Sequence, residues 1–219
     1  MGINKRRNGI LAAAGLVTTA LLATSAGMAA GAGDAASVAP TRSKDASATV
    51  VSPAGATLGT VRFIPVDGRS KMIVRARLEG VTAGFHGFHV HTAGVCDPNA
   101  VDAAGNPSPF FTAGGHYNPG GSIHGAHAGD MPPLLVTEDG TGFLKFATDR
   151  VKMKELLDAD GAAVILHAGP DNLAHVPAAS AAGGERYHSH VDNVFGPDTL
   201  TKATGDAGAR AGCGVIGRS

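Results

Sequence analysis

Aromatic residues are scarce in this chain of 219 residues: tryptophan is absent, and Phe, Trp and Tyr together make up 5%. Set beside 32 glycines and 12 prolines, that scarcity argues for short strands and many turns rather than long helices. Net charge is missing as well. Lys plus Arg and Asp plus Glu each number 18, so no global basic field exists to hold nucleic acid or an anionic membrane. The apolar stretch Ile10 to Ala23 is short and rich in Ala, Gly and Thr, where a membrane-spanning helix needs about 20 strongly apolar residues. Cysteine is nearly absent, with Cys96 and Cys213 the only two. What is present is a 43% hydrophobic share, enough for one core and hence one domain.

The amino-terminal end stands apart from that domain. Lys5, Arg6 and Arg7 precede the apolar stretch, and Ala30-Gly31-Ala32 offers the small residues a signal peptidase reads. Residues 1–32 therefore read as a cleaved signal peptide, with a permanent anchor as the alternative, and the Arg6-Arg7 pair also fits twin-arginine export. Residues 33–47 read as a flexible lead-in and 48–219 as the domain. An exported chain with two cysteines invites a Cys96–Cys213 disulfide, two buried free thiols being the other reading. Closing a loop of that length would add about 4 to 5 kcal/mol on the chain-entropy account.

Short strands are expected at Ala48 to Val51, Leu58 to Ile64, Met72 to Leu78, Pro133 to Glu138, Thr141 to Ala147, Ala162 to His167 and Gly212 to Gly217. In Met72 to Leu78 the apolar residues Met72, Val74, Ala76 and Leu78 share one phase and Arg75 and Arg77 the other, as in a strand with one wet face. Asp67-Gly68 and Asp139-Gly140 lie between such runs and signal antiparallel hairpins. Lys152 to Asp158 is ambiguous between helix and strand. Two long segments rich in Gly, Pro and His, Thr92 to Pro132 and Ala168 to Arg210, interrupt the strands and are expected to be functional.

The chemistry concentrates at His86-Gly87-Phe88-His89-Val90-His91 and beyond. On a strand His89 and His91 project to one side and could ligate one metal, while His86 faces the other way. His116, His124, His127 and Asp130 follow within a Gly-rich loop, and His167 ends an apolar strand. So many imidazoles exceed what core hydrogen bonding explains. Four nitrogens favour Cu(II), and three nitrogens with a carboxylate oxygen suit Zn(II), so on these grounds both metals stay open.

These motifs resemble the copper/zinc superoxide dismutase family of the bacterial exported type, from about Ala48 to the carboxyl end. His86 to His91 resembles its copper-ligand strand, and Gly115-His116-Tyr117-Asn118-Pro119 the loop with its metal-bridging histidine. His127-Ala128-Gly129-Asp130 is similar to the end of its zinc loop, and Val164-Ile165-Leu166-His167 to the strand with the last copper ligand. Thr204 to Arg210 and Cys213 to Gly217 resemble its closing signature. The resemblance implies an all-β fold, an eight-stranded antiparallel Greek-key sandwich or barrel with two long functional loops.

It further implies copper on His89, His91, His116 and His167, zinc on His116, His124, His127 and Asp130, and His116 bridging the two. Superoxide would be the substrate, Arg210 the anion guide and Thr204 the residue opposite it. Asp171 would accept hydrogen bonds from one histidine of each metal, and His86 would tie loops together. No nucleic acid or stable membrane partner is expected, a homodimer is left open, and the location is outside the cytoplasm, secreted or in the cell envelope. A copper-binding protein without turnover is the competing reading, since fold alone does not fix function.

One departure concerns zinc. His127 follows His124 by only three residues, where the family commonly has a longer insertion. Binding then requires Gly125 and Ala126 to turn tightly; a copper-only enzyme is the alternative. Outside these motifs, His188 and His190 in Tyr187-His188-Ser189-His190 read, with His175, either as a polar loop or as a weak accessory ligand set.

Overall fold

The computed structural model describes residues 44–66, 70–179 and 183–219. The signal-peptide reading of residues 1–32 and the Asp67-Gly68 turn lie outside them. In chain order the strands are β1 (Ala46–Val51), β2 (Thr57–Pro65), β3 (Met72–Leu78), β4 (Gly84–His86), β5 (Phe88–His91), β6 (Leu134–Val136), β7 (Gly142–Thr148) and β8 (Ala163–His167). They are followed by β9 (His188–Ser189), β10 (Val194–Phe195), β11 (Arg210–Val215) and β12 (Gly217–Arg218). Short helices α1 (Met153–Leu156) and α2 (Thr199–Thr204) lie between strands.

Alternation builds the core. In β3, Met72, Val74, Ala76 and Leu78 are buried while Arg75 and Arg77 are exposed. In antiparallel register, Val61 of β2 lies opposite Ala76 and Phe63 opposite Val74, so both inward rows meet in one apolar layer. The sheet runs β4-β6-β7-β3-β2-β1-β11-β8-β5, with β12 also on β1, and is antiparallel throughout. Its two edge strands are one stretch of chain, because only Gly87 separates β4 from β5. That stretch pairs with β6 at one end and with β8 at the other, which nearly closes a barrel. With β4 and β5 taken as one crossing, and β12 as the continuation of β11 past Ile216, the barrel has the expected eight strands.

Several boundaries differ from the sequence reading. Ala46 and Ser47, placed in the lead-in, belong to β1; Ala46 pairs with Phe63 and is fully buried. Lys152 to Asp158 contains the one-turn helix α1, seating Leu156 in the core. The closing strand breaks at Ile216 into β11 and β12. The Asp139-Gly140 turn is present, with Gly140 at φ 81° and Thr137 and Thr141 hydrogen-bonded across it.

The long loops cover the barrel's outer side and decide where the site lies. Every residue of β8 is buried. Val164 and Leu166 enter the main core, whereas Ala163 and Ile165 face outward into a second small cluster with Phe110, Ala113, Cys213 and Cys96. The same alternation in β5 sends Phe88 and Val90 inward and leaves His89 and His91 for the loop-covered face. A Cys96–Cys213 disulfide, Cα to Cα 5.7 Å, fastens the first long loop to β11.

Candidate metal centre

Two groups of side chains converge under the loops. His89, His91, His116 and His167 bring one donor atom each within 4.8 Å of one another, and all four are buried. The second group is His116, His124, His127 and Asp130. The Nδ1 of His116 lies 3.0 Å from Asp130 Oδ1, 3.2 Å from His124 Nδ1 and 3.3 Å from His127 Nδ1. Asp130 Oδ1 is also 3.3 Å from the Nδ1 of both His124 and His127. A tetrahedral zinc with ligands at about 2.0 to 2.1 Å would separate them by roughly 3.3 Å, so this set has the spacing of an ion-sized shell. His89 also lies near this group, but its Nε2 is occupied by Asp171.

In the first group three buried ring nitrogens have no hydrogen-bond partner: Nδ1 of His89 and Nε2 of His91 and His167. The opposite nitrogens explain why. His89 Nε2 donates to Asp171 Oδ2 at 2.7 Å, His91 Nδ1 to the Gly114 carbonyl at 2.8 Å and His167 Nδ1 to the Gly208 carbonyl at 2.9 Å. Acceptors at those positions fix the tautomer and leave each remaining lone pair aimed inward, as a metal requires. Orphaned buried nitrogens cost free energy unless an ion engages them. Burial first, then neighbouring histidines, draw His91 well down, His89 to about 4 and His167 to about 3, so these rings are neutral donors near pH 7.

Asp171 serves both groups: its Oδ1 accepts from His124 Nε2 at 2.8 Å while its Oδ2 holds His89. Burial pushes the Asp130 and Asp171 carboxyls up, but their histidine partners prevail and hold both well below the usual carboxylate range. Burial likewise lowers His124, yet Asp130 and Asp171 outweigh it and raise that ring to about 9.

The three-residue spacing between His124 and His127 is met as the glycine argument requires. Gly125 sits at φ 86°, and a Cβ there would fall 2.6 Å from the Leu173 carbonyl oxygen. Asp130 Oδ2 closes the turn from inside, accepting from the amides of Gly125 at 2.7 Å and His127 at 3.0 Å. Arg150 closes it from outside, reaching both carbonyls at 3.3 Å. Gly205, which ends α2 at φ 64°, leaves room for the Asp171–His124 pair; a Cβ there would lie 2.1 Å from Asp171 Oδ1.

A cavity of about 560 Å³ opens onto His91, His116 and His167, and Arg210 lines it together with Thr204, Asp206 and Phe111. The Arg210 guanidinium donates to the carbonyls of Phe110 and Gly114, the latter at 2.7 Å, and lies over the Phe111 ring. Thr204, the last residue of α2, lines the same cavity, its hydroxyl donating to the Leu200 carbonyl at 2.9 Å. His86 bridges the carbonyls of Thr82 and His167 at 2.8 and 2.7 Å, away from both groups. His175, His188 and His190 belong to neither. The carbonyls of Gly114 and Gly208 and the Arg150 clamp were not anticipated; backbone acceptors leave no mark in a sequence.

Comparison with known proteins agrees with this centre. Residues 57–216 match the family model described as copper/zinc superoxide dismutase. The chain is 38% identical over 181 residues to a Cu-Zn superoxide dismutase of Mycolicibacterium paratuberculosis, covering 82% of this chain and 77% of that one. It is 36% identical over 148 residues to one from Deinococcus radiodurans, covering 64% and 80%. The Cu/Zn superoxide dismutase of Brucella abortus superposes with a TM-score of 0.56 at 25% identity, over 80% of this chain and all of that one. The chain thus belongs to the copper/zinc superoxide dismutase family, an oxidoreductase whose substrate is superoxide and whose cofactors are copper and zinc.

Proposed function

We propose that superoxide dismutation in this chain is carried by His89, His91, His116 and His167 as copper ligands and by His116, His124, His127 and Asp130 as zinc ligands. The observation that carries this reading is the set of three orphaned nitrogens, each fixed from behind by an acceptor. Copper held by its four histidines would supply one-electron redox chemistry for converting two superoxide ions and two protons into dioxygen and hydrogen peroxide, and zinc would supply a fixed positive charge.

The residues do the rest. His116 turns Nδ1 to the zinc-side donors, leaving Nε2 for the copper side, where it can hold a proton and pass it toward the departing peroxide. A cation held by His116, His124, His127 and Asp130 would favour the deprotonated His116 ring and so keep that proton mobile. Arg210 binds the incoming anion: its charge persists at any working pH, and two carbonyls hold its planar fork. A protein that only stored copper would need the donors but not this cation at the cavity wall. Replacing Arg210 by Gln should slow superoxide capture on the order of tenfold and flatten its dependence on salt, with copper content unchanged. An unaltered rate and salt slope would remove Arg210 from the mechanism.

We further propose that residues 1–32 direct export, supported by an intact disulfide, which persists in oxidising compartments. A homodimer is supported by Phe85 and Leu135, cross-strand partners on β4 and β6 that are both exposed, with Phe143 of β7 exposed beside them.

A further inference from the structure

Of the ten histidines, seven are accounted for at the paired centre or in the tie made by His86. His175, His188 and His190 remain, and two of them are close together. The rings of His188 and His190 lie 4.9 Å apart between centroids and 70° between planes. Within the centre, His91 and His116 stand 4.9 Å apart at 61°, and His89 and His167 4.8 Å apart at 63°. Two imidazoles bound to one ion at about 2.0 Å and about 100° to each other would place their centroids roughly 5 Å apart. The outer pair therefore has a ring separation and tilt that two ligands of a common ion can take. Among the described residues His175 makes no ring contact with either, so the grouping expected from sequence reduces to a pair.

The pair is built into a small scaffold. β9 and β10 form a hairpin in which Phe195 lies opposite His188, and the Phe195 ring packs on that imidazole at 4.8 Å. That contact limits His188 to few rotamers and lowers the ordering cost of binding. Ser189, between the two histidines, donates its hydroxyl to Asp198 at 2.9 Å. Asp198 in turn caps α2 by accepting from the Thr201 amide at 2.8 Å. Leu200, Ala203 and Thr204 of α2 line the cavity that opens on His91, His116 and His167. The hairpin is thus tied to the helix that lines the copper cavity through Asp198 and through Asp192, whose carboxylate accepts from the Thr199 amide at 2.6 Å. His190 is exposed and His188 half-buried, so the pair is reachable from solvent.

We propose that His188 and His190 form a second, surface copper site, on the hairpin tied to the helix that lines that cavity. Two imidazoles with water completing the shell suit Cu(II), and the Irving–Williams order places Cu(II) above the other divalent first-row ions for such a nitrogen pair. A two-ligand site binds more weakly than the four-histidine group and releases its ion more readily.

The test uses the full metalloprotein carrying one copper and one zinc per chain, titrated with Cu(II) by calorimetry and followed by electron paramagnetic resonance. One additional copper per chain should bind, with a spectrum distinct from that of the inner copper. In the variant H188Q/H190Q the additional binding should be lost, and in the single variant H190Q it should weaken at least tenfold, both with the inner copper signal and zinc content unchanged. H190Q alters an exposed ring, so it keeps the test open should the double variant fold poorly. The His175→Gln variant should bind like the parent. Absence of the extra copper from the parent, its persistence in H190Q at equal affinity, its loss in His175→Gln, or zinc binding there more tightly than copper would each overturn the proposal.

Discussion

The two halves of the metal centre are held in different ways. The proposed copper donors His89, His91 and His167 stand on β5 and β8, adjacent strands of the barrel, and their rings are fixed mainly by backbone carbonyls. The proposed zinc donors His116, His124, His127 and Asp130 come from one loop and are fixed mainly by side chains: Asp130 and Asp171 within, Arg150 outside. A sheet keeps its geometry whatever occupies the site. A loop keeps it only while its clamps and its ion are in place. The copper half is therefore preorganised by the fold, and the zinc half is organised by electrostatics.

The sharpest way to break this contrast is to remove a donor from the loop. The His124→Ala variant should lose zinc outright while retaining one copper per chain, since no copper-side ring depends on His124 for its hydrogen bond. Metal analysis after loading with both ions reads the result. Simultaneous loss of both metals would mean that the sheet does not hold the copper half independently.

The next effect is on the copper side and concerns stability rather than occupancy. The disulfide joins Cys96 in the first long loop to Cys213 in β11, across 117 positions. Opening it should cost about 4 to 5 kcal/mol and free the Phe110 and Gly114 carbonyls that hold Arg210. Thermal melts of the oxidised protein and the Cys96→Ser/Cys213→Ser variant, metal-loaded, should differ accordingly. Equal melting temperatures would show that the barrel alone holds that loop.

The same contrast explains what could be read from the sequence. Alternation in Met72–Leu78 and the His-x-His of His89 and His91 are local signals with a period of two, so both were legible, as was the pairing of the only two cysteines. Ala46 and Ser47 were not, because their place in β1 comes from pairing with Phe63 and Arg62 across the sheet rather than from their own small side chains. At the short His124–His127 spacing Gly125 makes the turn, but the Arg150 clamp comes from beyond β7, a distance no local pattern carries. Asp206, within the closing signature, lines the copper cavity, a placement visible only once Thr201 and Asn172 are seen to hold it.

The smallest effect is a difference in the sign of pH dependence, and it sharpens the comparison in the metal-free protein. Burial draws His89 to about 4 and His167 to about 3, whereas in the unfolded chain each titrates near 6.5. Between those values the unfolded chain holds protons that the folded copper half does not, so stability falls as pH drops from about 6.5 toward 4. His124 behaves oppositely: Asp130 and Asp171 overcome burial and raise it to about 9. Its folded form holds a proton that the unfolded chain gives up, so its contribution is complete below about 6.5 and disappears as pH rises through about 9. Melting the metal-free protein from pH 4 to 10 should therefore give a steep acid limb and a shallower alkaline one. Asp171→Asn should weaken the alkaline limb by removing one of the two carboxylates that raise His124. An alkaline limb unchanged in that variant would mean that Asp130 alone sets the charge of the zinc loop.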